Sequence, residues 1–374
     1  MPQLPSRLAT LILALAAFTH GAAASNSENS PLIVAQVVDL SGANADFGRD
    51  YSFGAKLFFD QVNGSGGVNG RRIVYRGRDS AGSASVGLAA AQAFAQEGAA
   101  ILFGLSGDGV VDAVARDATI RASGMPIFGA IGGDAQLGTR DGVFNLRASS
   151  AQEIEAMVAH LAPLGVRSIS LASTEEFARE AGAALDEAAR RYGVRVPARL
   201  RFDIAGDGPA RTAQSIARDQ PQAVIVVADT LAVGQFFKRY RTLDQGAFLC
   251  TTSQANARTL TAIMGLAAAH GLIVSQVVPN PSGISELTRE HKKQMEKLAD
   301  EPASYATLEG YMAAKALVQA LRRSHETSRT ALQQALLKDG RLDLGGYDLN
   351  FAKGARPSNF VELTVIGRNG QLLR

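Results

Sequence analysis

The chain has 374 residues, 46% hydrophobic and 20% charged, enough apolar side chain for sizeable cores and too much for global disorder. With 38 basic and 35 acidic residues the net charge is +3, too balanced for a protein built around nucleic acid or an anionic membrane surface. A single cysteine, Cys250, excludes an intramolecular disulfide framework, a cysteine zinc cluster and a CxxC redox centre.

Residues 1–24 read as a cleaved signal peptide: Arg7 is positive, 8–18 is apolar, and Ala22 to Ala24 offer small residues for cutting before Ser25. As a helix the apolar run would rise only about 16 Å, against roughly 30 Å of bilayer hydrocarbon, so it is too short for an anchor. No cysteine lies near the junction, so no lipid anchor is expected. The mature protein should be exported, soluble and free of direct membrane insertion.

From Pro31 the pattern alternates. A strand at 32–39 leads to a helix at 51–62, a strand at 72–76 to a helix at 86–96, and a strand at 99–105 to a helix at 110–123. A strand at 126–130 and a helix at 152–161 follow. Next come strand 168–173 with helix 177–192, strand 198–203 with helix 209–219, strand 223–228 with helix 231–241, and strands 247–252 and 271–277. The run AVIVVA at 223–228 fits a strand covered on both faces. Such alternation predicts an α/β protein with parallel, doubly wound sheets. After Val278 a Pro- and Gly-rich break precedes helices at 285–298, 307–323 and 329–337, then short strands at 346–351 and 360–366. Nine or more strands suit two sheets better than one, with a ligand site between two lobes.

Enzyme signatures fail in turn. No phosphate-cradling P-loop is present, and GSGGVNG at 64–70 follows a helix, where a dinucleotide turn would follow a strand. GLSGD at 104–108 lacks the closing glycine of a nucleophile elbow. His160, His270, His291 and His325 are isolated and read as surface or helix-end residues; Cys250, in an apolar run, reads as a buried small hydrophobe. Titratable candidates at loop positions reduce to Asp46, Asp108 and Asp229. No catalytic activity, cofactor or obligatory metal is expected.

The loops at the strand ends carry a more specific pattern. VVDLSG at 37–42 is followed by NADFG at 44–48, DQVN at 60–63, GGVNG at 66–70 and RDS at 78–80. Then come ILFGLS at 101–106, GMPIFGA at 124–130, FNLR at 144–147, VSQVVP at 274–279, Tyr305, and LEGYMAAK at 308–315. Their order across 31–374 resembles the leucine/isoleucine/valine-binding family of type I periplasmic binding proteins, substrate receptors of ABC importers. The resemblance implies two Rossmann-like lobes, 31–147 with 280–345 and 148–279 with 346–374. Three crossovers near 147–151, 277–281 and 344–347 would form a hinge that closes on a ligand.

It also implies a site. In amino-acid-binding relatives, loop N–H groups and hydroxyls at helix starts in the first lobe hold the ligand carboxylate. The matching loops here are Leu105, Ser106, Gly107 and Asp108, and Ala130, Ile131 and Gly132 with Gly133. Phe47 matches an aromatic of the side-chain pocket. Phe177 and Thr230, each just after a predicted strand, are candidates in the second lobe with Ser253, and Tyr305, at a helix start beside the second hinge, is a candidate aromatic wall. Two departures stand out: Gly132 and Gly133 replace a common hydroxyl, and no acid stands near Ser253 to meet a ligand ammonium. The loop amides favour an anion or a polar oxygen, unless the Asp108 carboxylate occupies them itself. Branched-chain amino acids are therefore expected to bind weakly. The implied function is capture of a small amino-acid-like or carboxylate solute by a periplasmic monomer that delivers it to a membrane permease. The alternative is a sensory binding protein that reports to a regulator.

Overall fold

Two mostly parallel sheets, each covered by helices on both faces, make two lobes. This computed structural model describes residues 30–134, 136, 142–298, 302–353 and 356–374. The predicted signal segment, 1–24, lies outside the described residues.

The first lobe begins with β1 (Leu32–Val38), α1 (Ala45–Gly64), β2 (Ile73–Asp79), α2 (Ala84–Gln96) and β3 (Ile101–Phe103). It continues through α3 (Asp108–Arg116), α4 (Ala118–Ser123), β4 (Ile127–Phe128) and β5 (Val143–Phe144). The chain then enters the second lobe with α5 (Ser150–Leu161), β6 (Ile169–Ser173), α6 (Glu175–Tyr192), β7 (Arg199–Arg201), α7 (Gly208–Arg218) and β8 (Ala223–Val227). There follow α8 (Thr230–Tyr240), β9 (Phe248–Thr251), α9 (Ala257–Met264), α10 (Leu266–Ala269) and β10 (Ile273–Gln276). It returns as α11 (Glu286–Met295), α12 (Tyr305–Ser324), α13 (Arg329–Asp339) and the hairpin β11 (Arg341–Asp343) with β12 (Asp348–Asn350). Finally β13 (Glu362–Ile366) and β14 (Leu372–Leu373) rejoin the second sheet.

The first sheet has the order β2-β1-β3-β4-β5, all parallel. The second has the order β14-β13-β10-β9-β8-β6-β7, parallel except where β13 meets β10 and β14. Alternation of side chains explains the continuous apolar runs. On β1, Leu32 and Val34 enter one core while Ala35 and Val37 enter another. On β8, Val224 and Val226 face one helical layer while Ala223, Ile225 and Val227 face the opposite one. Every residue of β8 is fully buried, and each Val or Ile so placed contributes about 1.5–3 kcal/mol.

α1 and α12 cross at a glycine notch. A Cβ on Gly54 would stand 1.8 Å from the Thr307 carbonyl oxygen, and one on Gly310 would stand 1.9 Å from that of Tyr51. Only hydrogen fits there. This crossing fixes α12, and so Tyr305 and Glu309, against the first lobe.

Some elements differ from the sequence pattern. The helix expected at 110–123 is broken at Asp117, whose extended backbone (ψ 131°) and carboxylate cap α4 by accepting from Ile120 N–H at 3.0 Å. α1 starts at Ala45, so Phe47 lies in its first turn. The segment 344–347, where the third crossover was expected, is instead the turn of the β11–β12 hairpin. Leu342, Leu344, Tyr347, Leu349 and Phe351 pack into the α1–α12 core of the first lobe, and the chain reaches β13 only through 356–361. Residues 346–351, placed with the second lobe from sequence, thus pack with the first. His160, His270 and His325 do sit at helix ends, but His291 is fully buried in α11 with its ring edge-on to Tyr311 at 5.5 Å. Cys250 is buried, which pushes its thiol up to about 12. Among the described residues no helix is long and apolar enough to cross a membrane.

Candidate functional site

In each sheet the strand order reverses once, between β1 and β3 in the first and between β6 and β8 in the second. Loops leaving strand C-termini at such reversals diverge and leave a crevice. Here the two crevices face each other across a cleft of about 890 Å³. The first lobe lines it with Asp39 and Asn44 after β1, Ser106 to Asp108 after β3, and Ile131 after β4. The second lobe supplies Glu176 and Phe177 after β6, Phe202 and Asp203 after β7, Asp229 after β8 and Gln254 after β9.

Of the residues expected from sequence, Phe47, Ser106, Gly107, Asp108, Ile131 and Phe177 line this cleft together. Leu105 is fully buried in the core behind it, and Ala130 lies against a small cavity beside Arg147 and Glu309. The Gly132 carbonyl accepts from the Asn145 side chain at 3.2 Å. Thr230 is fully buried, and its N–H and hydroxyl both donate to Asn44 Oδ1 of the other lobe, at 3.1 and 3.3 Å. Ser253 and Tyr305 instead line a separate cavity of about 520 Å³, which Phe47 also borders. Asp46 does not line the main cleft; its Oδ1 accepts from the Phe47 N–H at 2.7 Å.

Four of the loop amides are engaged. Ser106 N–H donates to Val37 O at 3.2 Å, Gly107 N–H to Ile131 O at 3.0 Å, and Ile131 N–H to Leu105 O at 2.7 Å. Gly109 N–H, in the first turn of α3, donates to Glu176 of the second lobe at 3.1 Å. The glycine at 133 also has a physical cause. A Cβ there would meet Ser150 Oγ at 2.0 Å and Gln254 Nε2 at 2.6 Å, so neighbouring polar groups fill the space a side chain would take.

Asp108 is the unusual group. It is only 9% exposed; Oδ2 accepts from Asp134 N–H at 3.2 Å, and Oδ1 is buried without a partner. Burial, then the negative charge of Glu176, raises its carboxyl from 3.8 to about 7. Asp229 is raised too, chiefly by burial and further by Asp39, although it caps α8 by accepting from Ala232 N–H at 2.9 Å.

A second polar cluster sits where the chain passes between lobes. Arg147 Nη1 lies 3.5 Å from Glu309, and Nη2 donates to Ser253. Glu153 Oε2 accepts from Ser253 N–H at 2.7 Å and from Ser275 Oγ at 2.6 Å. Arg147, Glu153, Ser253 and Ser275 are all buried, so the first two crossovers share one desolvated network. Sequence reasoning missed it, and missed Asp39, Glu176, Asp203 and Gln254 in the cleft. Position at a strand C-terminus was the available signal for Asp39 and Gln254.

A family described as periplasmic binding protein matches residues 31–362. A substrate-binding periplasmic protein from Ralstonia solanacearum is 27% identical with a TM-score of 0.84, covering 91% of this chain and 99% of that one. A possible leucine/isoleucine/valine-binding protein from Rhodopirellula baltica is 23% identical with a TM-score of 0.83, covering 94% and 98%. A fatty acid ABC transporter substrate-binding protein from Thermomonospora curvata is 17% identical with a TM-score of 0.82, covering 92% and 91%. No curated protein sequence matches the chain.

Proposed function

This chain belongs to the periplasmic binding protein family, and we propose that it is the solute-binding component of an ABC uptake system, freed into the periplasm by removal of residues 1–24. The observation that carries this reading is the cleft of about 890 Å³ whose walls come from the strand C-termini of both lobes. A solute between two hinged lobes is desolvated on both sides when they close, and its contacts with each lobe hold the closed form. Three groups of cross-lobe contacts would add to that hold: Asn44 with Thr230, Gly109 with Glu176, and Asp50 with Arg258 at 3.3 Å. The buried Arg147 network at the crossovers would be the pivot. Phe47 and Phe177 would flank the solute, and Ser106, Asp108 and Asp229 would meet its polar groups. The partner is a membrane permease that accepts the closed monomer.

The neighbours named for leucine/isoleucine/valine and for fatty acid share the fold at TM-scores of 0.83 and 0.82, so the fold alone does not select a solute. Small-angle scattering tests the mechanism. A solute that binds one per chain should shrink the radius of gyration and raise the melting temperature. A bound solute confirmed by calorimetry that leaves the scattering curve unchanged would contradict closure.

A further inference from the structure

The charge of the cleft runs against the anion that the helix starts suggest. Six carboxylates line it: Asp39 and Asp108 from the first lobe, and Glu175, Glu176, Asp203 and Asp229 from the second. Against them stands one lining cation, Arg201, whose guanidinium is bonded to Glu175 at 2.8 and 3.0 Å. An incoming anion would meet uncompensated negative charge from both sides.

Four of the loop amides that could hold an anion are occupied. Amides of Ser106, Gly107 and Ile131 extend the sheet ladder, and Gly109 N–H is taken by Glu176. The protein thus supplies from its own second lobe a carboxylate at the start of α3, where a helix N-terminus favours one.

The acceptor side is unfinished. Asp39 accepts from Gly42 and Asn44 N–H groups at 2.6 and 3.0 Å, Asp203 from Ala205 N–H at 2.9 Å, and Asp229 from Ala232 N–H. Asp108 Oδ1 has no partner at all, on a side chain nine-tenths buried in the cleft wall. Arg147 and Arg356 attract it only at a distance. Arg147 is ion-paired with Glu309 at 3.5 Å and donates to Ser253, and Arg356 donates to the carbonyls of Arg147 and Asp134. A buried carboxylate oxygen without a donor costs stability, and a cation brought by a solute would remove that cost.

Two further observations narrow the cation. Among the described residues no group of three or more His, Cys, Asp or Glu converges closely enough to hold a metal ion. Phe47, Phe177 and Phe202 line the same cleft, and aromatic rings attract ammonium and guanidinium groups. Extending the solute-binding reading, on which it rests, we infer that the solute taken by this cleft is an organic cation bearing an ammonium or guanidinium group, with Asp108 as its buried counter-ion.

Calorimetry with 1,4-diaminobutane and agmatine, beside succinate and leucine, tests this on the purified mature chain. At least one of the two cations should bind one per chain and raise the melting temperature, while succinate does not bind. Asp108→Asn should weaken that cation at least tenfold while remaining folded, and Phe177→Ala should weaken it without changing its salt dependence. Binding of succinate in preference to both cations, failure of both cations, or cation affinity unchanged in Asp108→Asn would each overturn the inference. The solute-binding reading stands in those cases if a periplasmic extract still contracts the particle in scattering, and falls with the inference if it does not.

Discussion

Replacing Asp108 with Asn should stabilise the protein, by an amount that grows with pH. The fold holds this carboxyl at about 7 instead of 3.8, so the folded chain binds a proton that the unfolded chain releases above about pH 4. Its folded-state pKa is raised, so the associated stability is complete below pH 3.8 and is lost as pH rises towards and through 7. At 1.36 kcal/mol per unit, the wild type should be handicapped by about 2 kcal/mol at pH 5 and about 4 kcal/mol at pH 8. Asparagine does not titrate, and its amide oxygen can still accept from Asp134 N–H, which isolates the charge. Urea denaturation of both proteins at pH 5, 6, 7 and 8 measures the gap directly. For lobes of this size about 4 kcal/mol corresponds to a rise of on the order of 8 °C in melting temperature at pH 8. A gap that stays constant across the pH range, or a variant less stable than wild type at pH 8, would show that the buried Asp108 charge does not destabilise the fold. A variant that is more stable and yet loses solute binding would mark Asp108 as a group kept for function at the expense of stability.

His291 gives the opposite pH dependence. Burial lowers it to about 4, so stability is full above about pH 6.5 and should fall by about 3 kcal/mol as pH drops to 4, a loss that His291→Phe should abolish in acid denaturation. Glu309→Leu strands the buried Arg147 charge and should cost about 3–5 kcal/mol in denaturant midpoint analysis, whereas a loss below about 1 kcal/mol would place the ion pair outside the fold's essential contacts. Gly310→Ala forces a methyl within 1.9 Å of the Tyr51 carbonyl oxygen, so α1 and α12 must separate, at about 1–3 kcal/mol or more by thermal unfolding. Arg258→Ala removes a cross-lobe pair whose arginine is 55% exposed, and should change solute affinity by no more than about fivefold in calorimetry.

The lobes were legible because buried parallel strands write themselves as unbroken apolar runs. β8 is the clearest case, since its neighbours in sequence enter opposite cores and both must be apolar. The helix break at Asp117 was not, because its carboxylate competes for Ile120 N–H in a way that periodicity does not register. The early start of α1 was hidden by Asp50, a charged residue on the buried face, which Ser304 and Arg258 satisfy from far along the chain. The β11–β12 hairpin read as a strand entering the second lobe because its partner strand is only three residues long. In the cleft, the family resemblance brought Ser106 and Asp108 into view and strand-end position Phe177, and all three line one space. Their chemistry was not readable there. Whether the amides of Ser106, Gly107 and Gly109 were available depended on Val37, Ile131 and Glu176, and no local pattern states such long-range partnerships.

The cleft between the lobes should hold one small solute. Native mass spectrometry of the protein purified from its own periplasm, without denaturation or exhaustive dialysis, tests it most directly. The spectrum should show a population heavier than the mature chain by the mass of one small molecule, released on mild activation, and absent when Phe177→Ala and Asp108→Asn are combined. A bare mass in every preparation, unchanged after incubation with concentrated small-molecule extract of the periplasm, would contradict it.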